Sequence, residues 1–128
     1  MQVVSEALHY FGLHFRDPIQ MRELANSLGT SLPCLDFSFD RIRGITPDQA
    51  LQEHRLNKLF QALTDQPHQG LARAIRRCGL VGTSRVPDLF EQEFGIDMPL
   101  FLHICRRAAD DRQFRLDHPE AAALVLPV

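Results

Sequence analysis

The stretch from Gly44 to Thr64, GITPDQALQEHRLNKLFQALT, constrains this chain more than any other. Thr46 has the chemistry of an N-cap, Pro47 stands at the first helical position, and Gln49 comes three residues after the cap. That is a capping box with a proline whose φ is already helical. Leu56, Phe60 and Leu63 recur on one face with Leu51 and Leu59 beside it, and Asp65-Gln66-Pro67 ends the run. A long helix is therefore specified near the middle of the chain, and the remaining segments must pack on it.

Two similar units flank it. Upstream, residues 3–15 place Val4, Leu8, Phe11 and Phe15 on one helix face, and Asp17-Pro18 stops that helix. Residues 20–28 set Met21, Leu24, Ala25 and Leu28 on a stripe that Gly29 closes. Ser31 is the N-cap expected for the next helix, with Pro33 in its first turn, and Leu35, Phe39 and Ile42 as its apolar row up to Gly44. Downstream, residues 70–78 are expected to turn Leu71, Ile75 and Cys78 inward and Arg73, Arg76 and Arg77 outward. Gly79 makes the turn, and Thr83 or Ser84 caps a helix carrying Val86, Leu89, Phe90 and Phe94, which Gly95 ends. Asp97 caps a last helix with Leu100, Phe101, Ile104 and Cys105 as its apolar side. From Leu116 onward the reading is a loose tail or a segment docked on the core.

The two units repeat in their residues. Leu24-Ala25 precede Gly29 much as Ala74-Ile75 precede Gly79, and Phe39 and Phe90 each stand five residues before a closing glycine, Gly44 and Gly95. A helix, a glycine turn and a second helix make a helix-turn-helix unit. The expected fold is all-α and homeodomain-like: two helix-turn-helix subdomains joined by a long linker helix, about seven helices in all. The expected boundaries are residues 1–45 for the first subdomain, 46–65 for the linker helix, 66–112 for the second subdomain and 113–128 for a C-terminal tail.

Composition narrows the class. The 128 residues are 45% hydrophobic and 23% charged, enough apolar content for a packed core. The net charge of −2 argues mildly against nucleic acid, although a local basic patch can act within a neutral total. Cys34, Cys78 and Cys105 are odd in number and widely spaced, which reads as reduced, buried thiols in a cytoplasmic protein. No apolar run approaches the ~20 residues of a membrane span. The six histidines (His9, His14, His54, His68, His103 and His118) contain no pair at helical i,i+4 spacing, and there is no nucleophile–base arrangement and no phosphate loop. The chain is therefore expected not to be an enzyme, and no cofactor or metal is expected.

The order and spacing of RELANSLGTS (22–31), Leu35, Phe39, GITP (44–47), RLNKL (55–59), CGL (78–80), Ser84, Phe90 and FGI (94–96) resemble the DNA-binding domain of the AraC/XylS family of transcription regulators. The resemblance covers about residues 3 to 108. It implies seven helices and recognition helices that enter successive major grooves, roughly 34 Å apart. It implies double-stranded DNA as partner, with RNA polymerase or another regulator as further partners. Ser31 would lead at the first recognition helix, and Thr83, Ser84 and Arg85 at the second. Arg41, Arg43 and Arg55 are the phosphate candidates, and Arg76 and Arg77 would contact backbone or polymerase beside the second helix.

The chain departs from that family at the contact positions. The first recognition helix presents Pro33, Asp36, Phe37 and Asp40. In the second, Asp88 replaces a common arginine, and Glu91-Gln92-Glu93 replaces a basic run. Carboxylates facing phosphate repel it. The alternative reading is accordingly a degenerate helix-turn-helix module that binds a protein partner, with Phe37 among acids as its signature if that ring faces outward rather than packing on the linker helix.

Overall fold

A computed structural model describes residues 2–120. Among them the chain forms seven helices and no strand: α1 (Gln2–His14), α2 (Met21–Ser27), α3 (Leu32–Arg43), α4 (Pro47–Asp65), α5 (Leu71–Arg77), α6 (Val86–Phe94) and α7 (Met98–Asp117).

The linker helix α4 begins as its sequence dictates. Thr46 Oγ1 accepts from the Gln49 backbone N–H at 3.1 Å, and Gln49 Oε1 accepts from the Thr46 N–H at 2.9 Å. Pro47 comes next, fully buried. The helix then divides its apolar side between two cores. Ala50 and Leu51 join Val4, Phe11, Leu24, Leu35 and Phe39 in the first. Leu56, Leu59 and Leu63 join Ala74, Leu80, Phe90 and Met98 in the second. The second core carries an aromatic cluster in which the Phe60 ring centroid lies 4.8 Å from Phe94 and 4.4 Å from Phe101. Offset and tilted rings at such spacings add about 1 kcal/mol per pair beyond their area burial.

The two glycine turns are built alike. Gly29 N–H donates to Asn26 O and Thr30 N–H to Ala25 O; Gly79 N–H donates to Arg76 O and Leu80 N–H to Ile75 O. Both are Schellman closures, which satisfy the last helical carbonyls through a left-handed residue. Beyond the turns the two units diverge. Ser31 caps α3, accepting from Cys34 N–H at 3.4 Å, and the helix starts at Leu32. In the second unit the expected cap at Thr83 or Ser84 does not form. Arg85 occupies the N-cap position with φ 59° and no side-chain cap, and α6 starts only at Val86. Pro87 rules out a cap at Thr83, where its ring would meet the Thr83 carbonyl, but not one at Ser84, which leaves it in the first turn. The left-handed backbone at Arg85 is what stops the helix from starting earlier. Pro33 stands at the same helical position in α3 but close behind its glycine, so α3 loses nothing.

Four further expectations are corrected. Ile42 is exposed, because α3 buries Leu35 and Phe39 and has turned away from the core by residue 42. Cys34 is exposed, one residue off the buried position of Leu35, whereas Cys78 and Cys105 are buried and all three are free thiols. On α7 the buried set is Met98, Leu102 and Cys105, leaving Leu100 and Ile104 half exposed. Finally, α7 runs on to Asp117, through the first residues of the expected tail. Residues 106–117 hold no glycine or proline, and the break comes only at His118, before Pro119. Asp110 is tethered to His68 at 2.9 Å, and Arg106 Nε donates to the Pro67 carbonyl at 3.0 Å, which holds the middle of α7 against the loop after α4. The rest of the expected tail, residues 121–128, lies outside the described residues.

Candidate nucleic-acid interface

The exposed side of α3 carries Ser31, Pro33, Asp36, Phe37, Asp40, Arg41 and Arg43. Phe37 is 63% exposed, too open to be a core residue that happens to face outward. The Arg41 guanidinium carbon lies 5.8 Å from its ring centroid, a cation–π approach that holds both side chains on the surface. Arg41 and Arg43 stand in the last turn of α3, where the helix dipole favours positive charge. Across a groove of about 410 Å³, Arg22 and Asn26 of α2 face Ser31, Pro33 and Asp36. Arg22 and Asn26 are polar candidates outside the sequence-based expectation, although both lie inside RELANSLGTS.

The corresponding face of the second unit is made differently. Thr83 is half-buried and its N–H donates to the Leu80 carbonyl at 3.0 Å, while Ser84 and Arg85 are exposed. These three residues form an irregular approach to α6 rather than its first turn. Arg85 Nε bonds Asp88 Oδ2 at 2.8 Å, in an ion pair open to solvent on both sides. Glu91, Gln92 and Glu93 are all exposed along the same helix. Arg85 against Asp88, Glu91 and Glu93 leaves this face at −2. Arg76 and Arg77 sit in the last turn of α5, both exposed.

Arg55, a phosphate candidate from the sequence, is engaged with backbone carbonyls. Its Nε donates to the Phe15 carbonyl at 2.8 Å and its Nη2 to the Asp17 carbonyl at 2.8 Å. Partial burial lowers its pKa and Asp48 offsets part of that effect, and the guanidinium stays charged. It ties the linker helix to the end of α1. The second unit meets the same place. A Cβ at Gly79 would lie 2.2 Å from the Phe15 carbonyl oxygen and 3.0 Å from Arg55 Nε, and φ there is +77°. Only glycine allows that approach. Arg16 completes the joint, with its Nε donating to the Arg77 carbonyl at 3.1 Å. The structure thus gathers Ser31, Arg41 and Arg43 on one helix and Thr83, Ser84 and Arg85 at the front of another. Arg55 instead joins the linker helix to the chain just after α1.

Among the described residues no group of three or more His, Cys, Asp and Glu side chains is placed to hold a metal ion. No described helix is long and apolar enough to cross a membrane.

This chain is 26% identical over 96 residues to the "Probable thc operon regulatory protein" of Rhodococcus erythropolis. The match covers 73% of this chain but 29% of that protein, so the chain spans less than a third of its relative's length. No protein-family model matches the chain, and no solved structure does.

Proposed function

We propose that this chain is a transcription regulator of the AraC/XylS type that binds double-stranded DNA, with α3 and the front of α6 entering successive major grooves. One observation carries the reading. Two helices that come after matching glycine turns both pack on one shared rod, and Arg55 and Gly79 both meet the Phe15 carbonyl where the two units join. A rigid pair of readers suits successive grooves of one duplex face. The similarity to an operon regulatory protein supports a regulatory role. Arg41, Arg43, Arg76 and Arg77 are the phosphate contacts in this reading, with Ser31, Thr83, Ser84 and Arg85 nearest the bases.

Against the acidic face of α6, the basic contacts have to provide the affinity through counterion release. A gel shift with the native upstream region over a salt series tests this. Binding should weaken steeply with salt, and Arg43→Ala should reduce the slope by about one. A folded chain that retains no native fragment at low salt overturns it.

The exposure of Phe37 beside Asp36 and Asp40 favours one second reading, in which α3 and α6 grip a basic protein partner instead of DNA. The same gel shift separates the two, since a protein-binding module leaves the duplex unshifted.

A further inference from the structure

On the joint between the two units lies a cleft of about 510 Å³, within the size range of small-molecule sites. Arg16 from the end of α1, Lys58 from the rod and Arg77 from α5 all line it. We propose that this cleft is a binding site for a multiply charged oxyanion of the phosphate class, held by Arg16, Lys58 and Arg77 and so contacting both helix-turn-helix units at once.

Charge sets the sign of the ligand. Asp65 is the carboxylate in the lining, so the cleft carries +2 on a chain whose total is −2. The ion pairs among the described residues are His14–Asp17, His68–Asp110 and Arg85–Asp88, so none of the three cations is neutralised by one. Unpaired like charges gathered in one concavity repel each other and attract an anion.

The cations are also held in place. Arg16 and Lys58 both lie against Phe15, with Arg16 Cζ 5.1 Å and Lys58 Nζ 5.5 Å from its ring centroid. The ring limits the freedom of both side chains before any ligand arrives, which lowers the ordering cost of binding. Arg16 uses only its Nε on the Arg77 carbonyl, which leaves both terminal nitrogens of the fork for an oxyanion. Burial raises the Cys78 pKa above its usual value, so its thiol stays neutral and adds no negative charge to the wall.

This site stands whether or not the chain reads DNA. Calorimetric titration of the full chain with pyrophosphate, at constant ionic strength, tests it. One saturable site is expected. Lys58→Gln and Arg77→Gln should each weaken it by roughly tenfold, the loss of one charge-assisted contact. Arg112→Gln, on the far part of α7, should not. Lys58 also covers Phe15, so Arg77→Gln gives the answer if Lys58→Gln disturbs folding. A second arm adds a short duplex of unrelated sequence. Displacement of pyrophosphate identifies the bound group as backbone phosphate, and retention identifies it as a free anion; both outcomes support the site. No saturable binding, or binding unchanged by both variants, overturns it.

Discussion

Arg55 donates its Nε–H to the Phe15 carbonyl oxygen at 2.8 Å, across 40 residues of sequence. A second bond from Nη2 reaches the Asp17 carbonyl at 2.8 Å. Lysine carries the same charge but cannot span two carbonyls with a planar fork. Arg55→Lys should therefore lower unfolding stability by about 1–2 kcal/mol, as read by urea denaturation. A midpoint equal to that of the unaltered protein would show that the joint contributes nothing.

Gly79 and Gly29 close matching turns at nearly equal φ, +77° and +74°, but their surroundings differ. Nothing lies within 4 Å of a Cβ built at Gly29. Gly29→Ala should cost only the left-handed backbone penalty of roughly 1 kcal/mol. Gly79→Ala adds a collision with the Phe15 carbonyl and should cost at least about twice that. Thermal melts of the two variants side by side measure the difference. Equal losses would contradict the close approach.

Arg85 holds a left-handed conformation as a non-glycine residue. Its bond to Asp88 is solvent-exposed and contributes little to stability. Arg85→Gly should leave the melting temperature unchanged or raise it. Arg85→Ala keeps a Cβ in the left-handed conformation and should be the less stable of the two variants by about 1 kcal/mol. In the DNA reading both variants weaken binding, which separates the residue's contact from its backbone strain.

His54 packs edge-on against Phe15 with ring centroids 5.4 Å apart. Burial, and secondarily Lys58, hold its pKa below the usual 6.5. Unfolding restores the ordinary value. The unfolded chain then binds more protons in the window between the two pKa values. The stability from neutral His54 is complete above the unfolded pKa and declines as pH falls through it toward the folded one. The melting temperature should drop as pH falls below the usual 6.5, and His54→Leu should flatten part of that slope. Identical pH profiles for the two proteins would contradict this account.

Local signals in the sequence suffice for most of the architecture. The capping box at Thr46 and Gln49, the closing glycines and the rows through Phe39 and Phe90 each depend on neighbours within one or two turns. Where two apolar phases compete, pattern alone cannot choose. In MPLFLHIC, the Leu100–Ile104 row and the Met98–Leu102–Cys105 row are equally apolar. Packing of α7 on α4 and α6 selects the second. Capping chemistry at Thr83 and Ser84 points to too early a start for α6, because the left-handed backbone at Arg85 that ends the approach leaves no mark in residue identity. The role of Arg55 is illegible for another reason. Its partners are backbone carbonyls far along the chain, and a carbonyl leaves no mark in residue identity. Arg16, Lys58 and Arg77 likewise meet only through tertiary structure.

The divided helix α4 has one more consequence. Leu51 belongs to one core and Leu56 to the other, with less than two helical turns between them. Cutting the chain on either side of the helix would strip a wall from one half. The two halves should therefore melt together, in a single transition seen alike by any probe. Damage in the first core would then be felt at α6 without any signal passing between them, because they share one equilibrium.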